Sequence, residues 1–166
     1  MKTKLLIYRV TLCALILCLM AFIFWHSSKP GSDSYDESGE IVGDVLDVVA
    51  PEINEDMSSD GWQRRDTIHL WFRKGVHLCI FAALSFCATL LLSSYDIKRW
   101  AVAIFSIAFT ILYAVSDEVH QHFVPGRKGA LFDVGVDSLG AVVGWACAIL
   151  AIWLFWNVQR RKQKTK

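Results

Sequence analysis

Leu5-Leu6-Ile7-Tyr8-Arg9-Val10-Thr11-Leu12-Cys13-Ala14-Leu15-Ile16-Leu17-Cys18-Leu19-Met20-Ala21-Phe22-Ile23-Phe24-Trp25 is an apolar run broken by a single charge, Arg9. About 20 such residues carry a helix across the hydrocarbon core of a bilayer. Arg9 lies close enough to the start of the run for its long side chain to snorkel back to the headgroups. Lys2 and Lys4 ahead of the run are also what a signal peptide would show. The run, however, closes on Phe24-Trp25-His26 with no small-residue cleavage site, and it reads as a retained anchor helix.

Outward from this run, three more apolar blocks follow: residues 76–92, 100–115 and 138–156. Hydrophobic residues make up 54% of the 166, and the mean hydropathy is +0.39. That excess falls in long blocks separated by charged segments, as in a membrane protein and unlike a soluble core. The second and third blocks are short and must borrow polar residues at their ends. Spans are expected near 5–25, 74–93, 99–117 and 134–156. The expected fold is an all-α membrane protein, a four-transmembrane-helix bundle. Residues 1–4 and 157–166 form its cytoplasmic ends, and residues 26–73 its outer loop.

Charge orients the expected bundle. Lys2 and Lys4, then Lys98 and Arg99, then the tail Arg160-Arg161-Lys162-Gln163-Lys164-Thr165-Lys166 are short basic segments, and four spans put all three on one side. Basic loops stay in the cytoplasm, so a multi-pass protein of the cell membrane with both termini cytoplasmic is expected. Residues 26–74 carry eleven acids against five bases and face outward. Trp25, Trp71 and Tyr113 at the outer ends, with Trp100, Trp153 and Trp156 at the inner ends, fit two aromatic belts. In the outer loop, Ile41, Val42, Val45, Leu46 and Val49 recur at helical spacing before Pro51. They read as a short amphipathic helix, either lying on the membrane or covering a site as a lid. Residues 62–74 are expected to lead as a helix into the second block. The basic tail answers to topology and anionic lipid, and no nucleic-acid motif or phosphate loop is present. The five cysteines, all inside apolar blocks, lack metal or disulfide spacing and read as buried free thiols.

The chemistry gathers at helix ends. Ser116-Asp117-Glu118-Val119-His120-Gln121-His122-Phe123-Val124-Pro125-Gly126-Arg127 closes the third block. On a helix Asp117, His120 and Gln121 share a face, Glu118 and His122 a neighbouring one, and Pro125-Gly126 turns the chain. Asp133 and Asp137 lie one turn apart at the start of the fourth block. Gly140 and Gly144 extend that stripe and read as a close helix contact. Asp137 is too deep to be explained by packing and needs a partner, Arg127 or a histidine. Arg73 and His77, four apart, begin the second block beside Lys74. His26 and Ser27 end the first. Ionisable groups at membrane depth are functional candidates, and four helix ends deliver them to one outer layer, where a pocket between helices could form.

Three motifs carry a resemblance that covers most of the chain. They are Trp25-His26-Ser27-Ser28 with Ser32-Asp33-Ser34, Arg73-Lys74-Gly75-Val76-His77, and the 116–127 stretch followed by Asp133, Asp137 and Gly140. In order and spacing they resemble the VanZ-like family. The resemblance implies a four-helix integral membrane domain and a link to teicoplanin resistance. It marks Lys74, His77, Asp117, Glu118, His120, Gln121, Pro125, Gly126, Arg127, Asp133 and Asp137 as motif positions. His122 stands where the family pattern has an apolar residue.

Two classes of function fit these residues. In one, His77, Asp117, Glu118 and His120 work as acids and bases on a lipid-linked cell-wall precursor or other envelope substrate, with Ser27 as a nucleophile. A metal variant would draw ligands from His77, His120, Asp117, Glu118, Asp133 and Asp137, but no stretch has dedicated ligand spacing. In the other, Lys74, Gln121, Arg127, Asp133 and Asp137 bind a lipid headgroup or antibiotic through phosphate or carboxylate. A purely structural polar layer, orienting helices or serving a partner, is the alternative to both. No inverted repeat points to a transporter. The residues leave catalysis, cofactor and metal open.

Overall fold

The computed structural model describes residues 2–127 and 129–164; the side chains of residues 33–35, 37, 54 and 164 are outside the description. The expected motif side chains Asp33 and Ser34 and the tail residues Lys164 (its side chain), Thr165 and Lys166 therefore fall outside it. The described residues form six helices and no strand: α1 (Lys2–Ser27), α2 (Gly31–Val49), α3 (Pro51–Glu55), α4 (Ser59–Ser93), α5 (Arg99–His122) and α6 (Leu131–Lys164). Four of them, α1, α4, α5 and α6, are long and apolar enough to cross a membrane. The protein is a multi-pass membrane protein built as an up-and-down bundle. Leu6, Leu17, Leu112 and Leu150, all more than half exposed, coat its outside, the surface that lipid chains would cover.

The inner packing is fine-grained. Phe81 and Leu84 of α4 are fully enclosed with Ile16 and Ile23 of α1 and Ala114 of α5. In lipid, helix association relies on close van der Waals contact and interhelical hydrogen bonds more than on hydrophobic burial. The α4–α6 seam shows both. A Cβ on Gly140 would lie 2.5 Å from the Leu78 carbonyl oxygen, and one on Gly144 would overlap the Ala82 carbonyl. Between them Ser85 Oγ donates to the Ala141 carbonyl at 2.6 Å. The expected close contact at Gly140 and Gly144 is thus backbone against backbone.

Several details differ from expectation. Tyr113 is not a belt residue: it is half-buried, and its hydroxyl donates to the Met20 carbonyl at 2.6 Å, tying α5 to α1. The thiols are free but not buried: Cys13, Cys18, Cys79 and Cys147 are exposed and Cys87 is half-buried. An apolar residue in a membrane helix does not have to face protein, because lipid is as apolar as a core. The amphipathic helix is longer than its apolar repeat, starting at Gly31. Val42 and Leu46 are buried where α2 packs on α4, while Ile41, Val45, Val48 and Val49 stay exposed. The helix expected over residues 62–74 does run into the second block: α4 is 35 residues long, roughly 50 Å at helical rise, against about 30 Å of hydrocarbon. Lys74 already meets Asp133 near the start of α6, so the turns of α4 before it project past the bundle end, with Ser58 as N-cap accepting from the Gly61 amide.

Candidate functional site

The ends of α4, α5 and α6, the α5–α6 turn and the start of α2 line a cavity of about 330 Å³. Its wall includes Arg73, Lys74 and His77 from α4, Glu118 and Gln121 from α5, Arg127 from the α5–α6 turn, and Asp133 and Asp137 from α6. That volume lies in the range of small-molecule sites, ~300–1,000 Å³. Each residue arrives by a simple device. Helical rotation of about 100° per residue turns Gln121 and Glu118 to one side of Asp117 and His120 to the other. After α5 stops at His122, Gly126 takes a left-handed φ of 74°, open to glycine at little cost, and swings Arg127 back under the bundle.

Arg127 is held with care. Its Nε donates to the Lys29 carbonyl at 3.0 Å and its Nη2 to the His26 carbonyl at 3.2 Å. It is 9% exposed, and Nη1 is buried with no hydrogen-bond partner among the described residues. Burial, and then the nearby Arg73 guanidinium, push its pKa below the ordinary arginine value, opposed by Asp117 and Glu118. Arg73 lines the cavity with no ion pair among the described residues. Lys74, by contrast, is ion-paired with Asp133 and rests over the Phe132 ring at 4.7 Å. Asp137 is 1% exposed, and the partner it needs is His77, whose Nδ1 lies 3.7 Å from Oδ1. That is an ion-pair distance and beyond a hydrogen bond.

The α5 carboxylates have structural ties. Gln121 Nε2 donates to Asp117 Oδ2 at 2.8 Å and to Ser27 Oγ at 3.3 Å. Glu118 Oε1 accepts from the Ala130 amide at 2.6 Å, closing the α5–α6 turn. Asp117 is buried behind Gln121, outside the cavity lining. His120 points elsewhere: it stacks on Phe24 at 4.5 Å and meets Ser28 Oγ at 3.1 Å through Nε2. Ser27 is fully buried at the α1–α5 contact. Of the expected site residues, the cavity thus gathers Lys74, His77, Glu118, Gln121, Arg127, Asp133 and Asp137, and leaves out His120 and Asp117.

A family model described as VanZ/LLP1 matches residues 12–155, which is most of the chain and includes every wall residue named above. The chain belongs to the VanZ/LLP1 family. No curated protein and no solved structure matches it.

In this VanZ/LLP1 chain the cavity wall adds one cation that the expected site left out, Arg73. Its one-turn spacing from His77 was the signal available in the sequence. Among the described residues no group of three or more His, Cys, Asp or Glu side chains is placed to hold a metal ion. What this VanZ/LLP1 cavity offers is a fixed guanidinium, a second guanidinium, a His–Asp pair and a wall that includes Leu70 and Val136. Guanidinium forks suit phosphate and carboxylate oxygens.

Proposed function

We propose that this VanZ/LLP1 membrane protein binds the phosphate-bearing headgroup of an envelope lipid in the cavity, from the outer leaflet of the cell membrane. The observation that carries the reading is Arg127, clamped by two backbone carbonyls, with Nη1 buried and unpartnered and neighbouring Arg73 without an ion pair among the described residues. A pre-positioned donor fork costs little to order when an anion arrives. The exposed apolar rings and chains near the wall, Leu70 and Phe132, give an acyl tail a surface to follow. The outward orientation rests on the basic segments at residues 2–4, 98–99 and 160–166. With the teicoplanin link of the family resemblance, it makes a lipid-linked cell-wall precursor one member of the ligand class.

The competing reading is a structural polar layer. The bonds of Gln121 to Asp117 and Ser27, of Glu118 to Ala130, and of Lys74 to Asp133 favour it for those residues. Arg73 separates the two readings, since it makes no such bond among the described residues. Native mass spectrometry of the purified protein with phosphatidylglycerol should show saturable adducts. Arg73→Ala should weaken them about tenfold, the worth of one charge-assisted hydrogen bond, at unchanged protein level in the membrane. Cells expressing that variant should lose any decrease in teicoplanin sensitivity given by the wild type. Unchanged lipid affinity in Arg73→Ala would sink the reading.

A further inference from the structure

Two groups in the cavity wall are nine-tenths or more buried and keep polar atoms unpartnered among the described residues. One is Arg127, through Nη1. The other is Asp137, with both carboxylate oxygens lacking a hydrogen bond among the described residues. A buried carboxylate without hydrogen bonds is costly, and His77 Nδ1 at 3.7 Å stands too far off to supply one. The orphaned acceptors on Asp137 are as specific a feature as the orphaned donor on Arg127, and a simple anion fills only the second.

The wall charges lead the same way. Arg73, Lys74 and Arg127 stand against Glu118, Asp133 and Asp137 in the same cavity. Lys74 and Asp133 pair with each other. Arg73 and Arg127 then remain on one side of the balance and Glu118 and Asp137 on the other. A phosphate alone would satisfy the guanidiniums and sit beside two like charges in a poorly solvated site.

We infer that the ligand headgroup is a zwitterion, a phosphate joined to a primary amine, with the phosphate on Arg127 and Arg73 and the ammonium donating to Asp137. This rests on the phosphate-binding reading above and narrows its ligand class. The amine is primary because Asp137 lacks donors: an ammonium brings three N–H groups, whereas a trimethylated nitrogen brings none. Glu118 supplies the second negative charge, with Oε1 occupied by the Ala130 amide.

Successive N-methylation of the headgroup tests this with no change to the protein. Short-chain phosphatidylethanolamine, its mono- and dimethyl forms, phosphatidylcholine and phosphatidic acid would be titrated into the detergent-solubilised full chain and followed by thermal shift. Affinity should fall stepwise with methylation. Phosphatidylethanolamine should bind about tenfold tighter than phosphatidylcholine or phosphatidic acid, as expected for a charge-assisted hydrogen bond. Asp137→Asn should narrow that gap, weakening phosphatidylethanolamine and strengthening phosphatidic acid as the like charge is removed. Equal affinities across the series overturn the zwitterion and leave phosphate binding standing. No binding by any of these lipids overturns both. O-Phosphoethanolamine binding as tightly as the lipid would uphold the zwitterion and make the source a soluble metabolite.

Discussion

At the scale of single residues, the protein uses arginines as fasteners. Arg9, which could be read from the sequence only as a snorkelling charge, has a defined destination at the bundle end opposite the cavity. Its Nε donates to Ser94 Oγ at 3.0 Å, its Nη2 to the Ser94 carbonyl, and its guanidinium lies 3.7 Å from the centre of the Tyr95 ring. This joins α1 to the α4–α5 turn. Arg9→Ala should lower unfolding free energy by about 2 kcal/mol, from lost charged hydrogen bonds and cation–π contact. A thermal melt of purified protein checks this, and lipid affinity should not change. The polar residues were legible as a set in the sequence; their division was not. Asp117, His120 and Gln121 share a helical face at the level of a wheel diagram. Which flank meets the cavity depends on where α1 stands, and α1 takes His120 onto Phe24 and Ser28. Likewise nothing in the string Arg73-Lys74 says that Asp133 takes the lysine and leaves the arginine open.

At the scale of elements, the apolar blocks gave the four long helices, because their length and hydropathy are properties of the chain itself. Their polar extensions were legible too, as a helix from residue 62 into the second block and as a helical 117–122 stretch ended by Pro125-Gly126. Polar residues prolong α4 back to Ser59 and α5 forward to His122, past the points where hydropathy falls. The α4–α6 seam was visible as Gly140 and Gly144, since small residues four apart admit a neighbouring backbone. Gly144→Leu should force α6 off the Ala82 carbonyl and destabilise the protein by about 1–3 kcal/mol, the range for overpacking. It should also lower protein level in the membrane and reduce lipid binding, because Asp133 and Asp137 reach the cavity on the same helix. Retained stability in this variant would show that the seam tolerates separation.

At the scale of the whole molecule, the bundle has two unlike ends. One carries the cavity, the acidic α2–α3 segment and the projecting turns of α4. The other carries Arg9, Lys98, Arg99 and the basic tail. The basic segments predict that the cavity end faces away from the cytoplasm. In intact cells a membrane-impermeant maleimide should label Gln63→Cys, on exposed α4, and should label Gln163→Cys, in the tail, only after the cells are opened; the reverse pattern would invert the orientation. The native thiols bear on this measurement. Four of them are exposed on helices long and apolar enough to cross a membrane, and all five are free. A polar, membrane-impermeant maleimide does not enter hydrocarbon. The wild-type chain is therefore its own blank, a surface silent to aqueous thiol reagents, so that one introduced cysteine would report against zero background how far each segment stands clear of the bilayer.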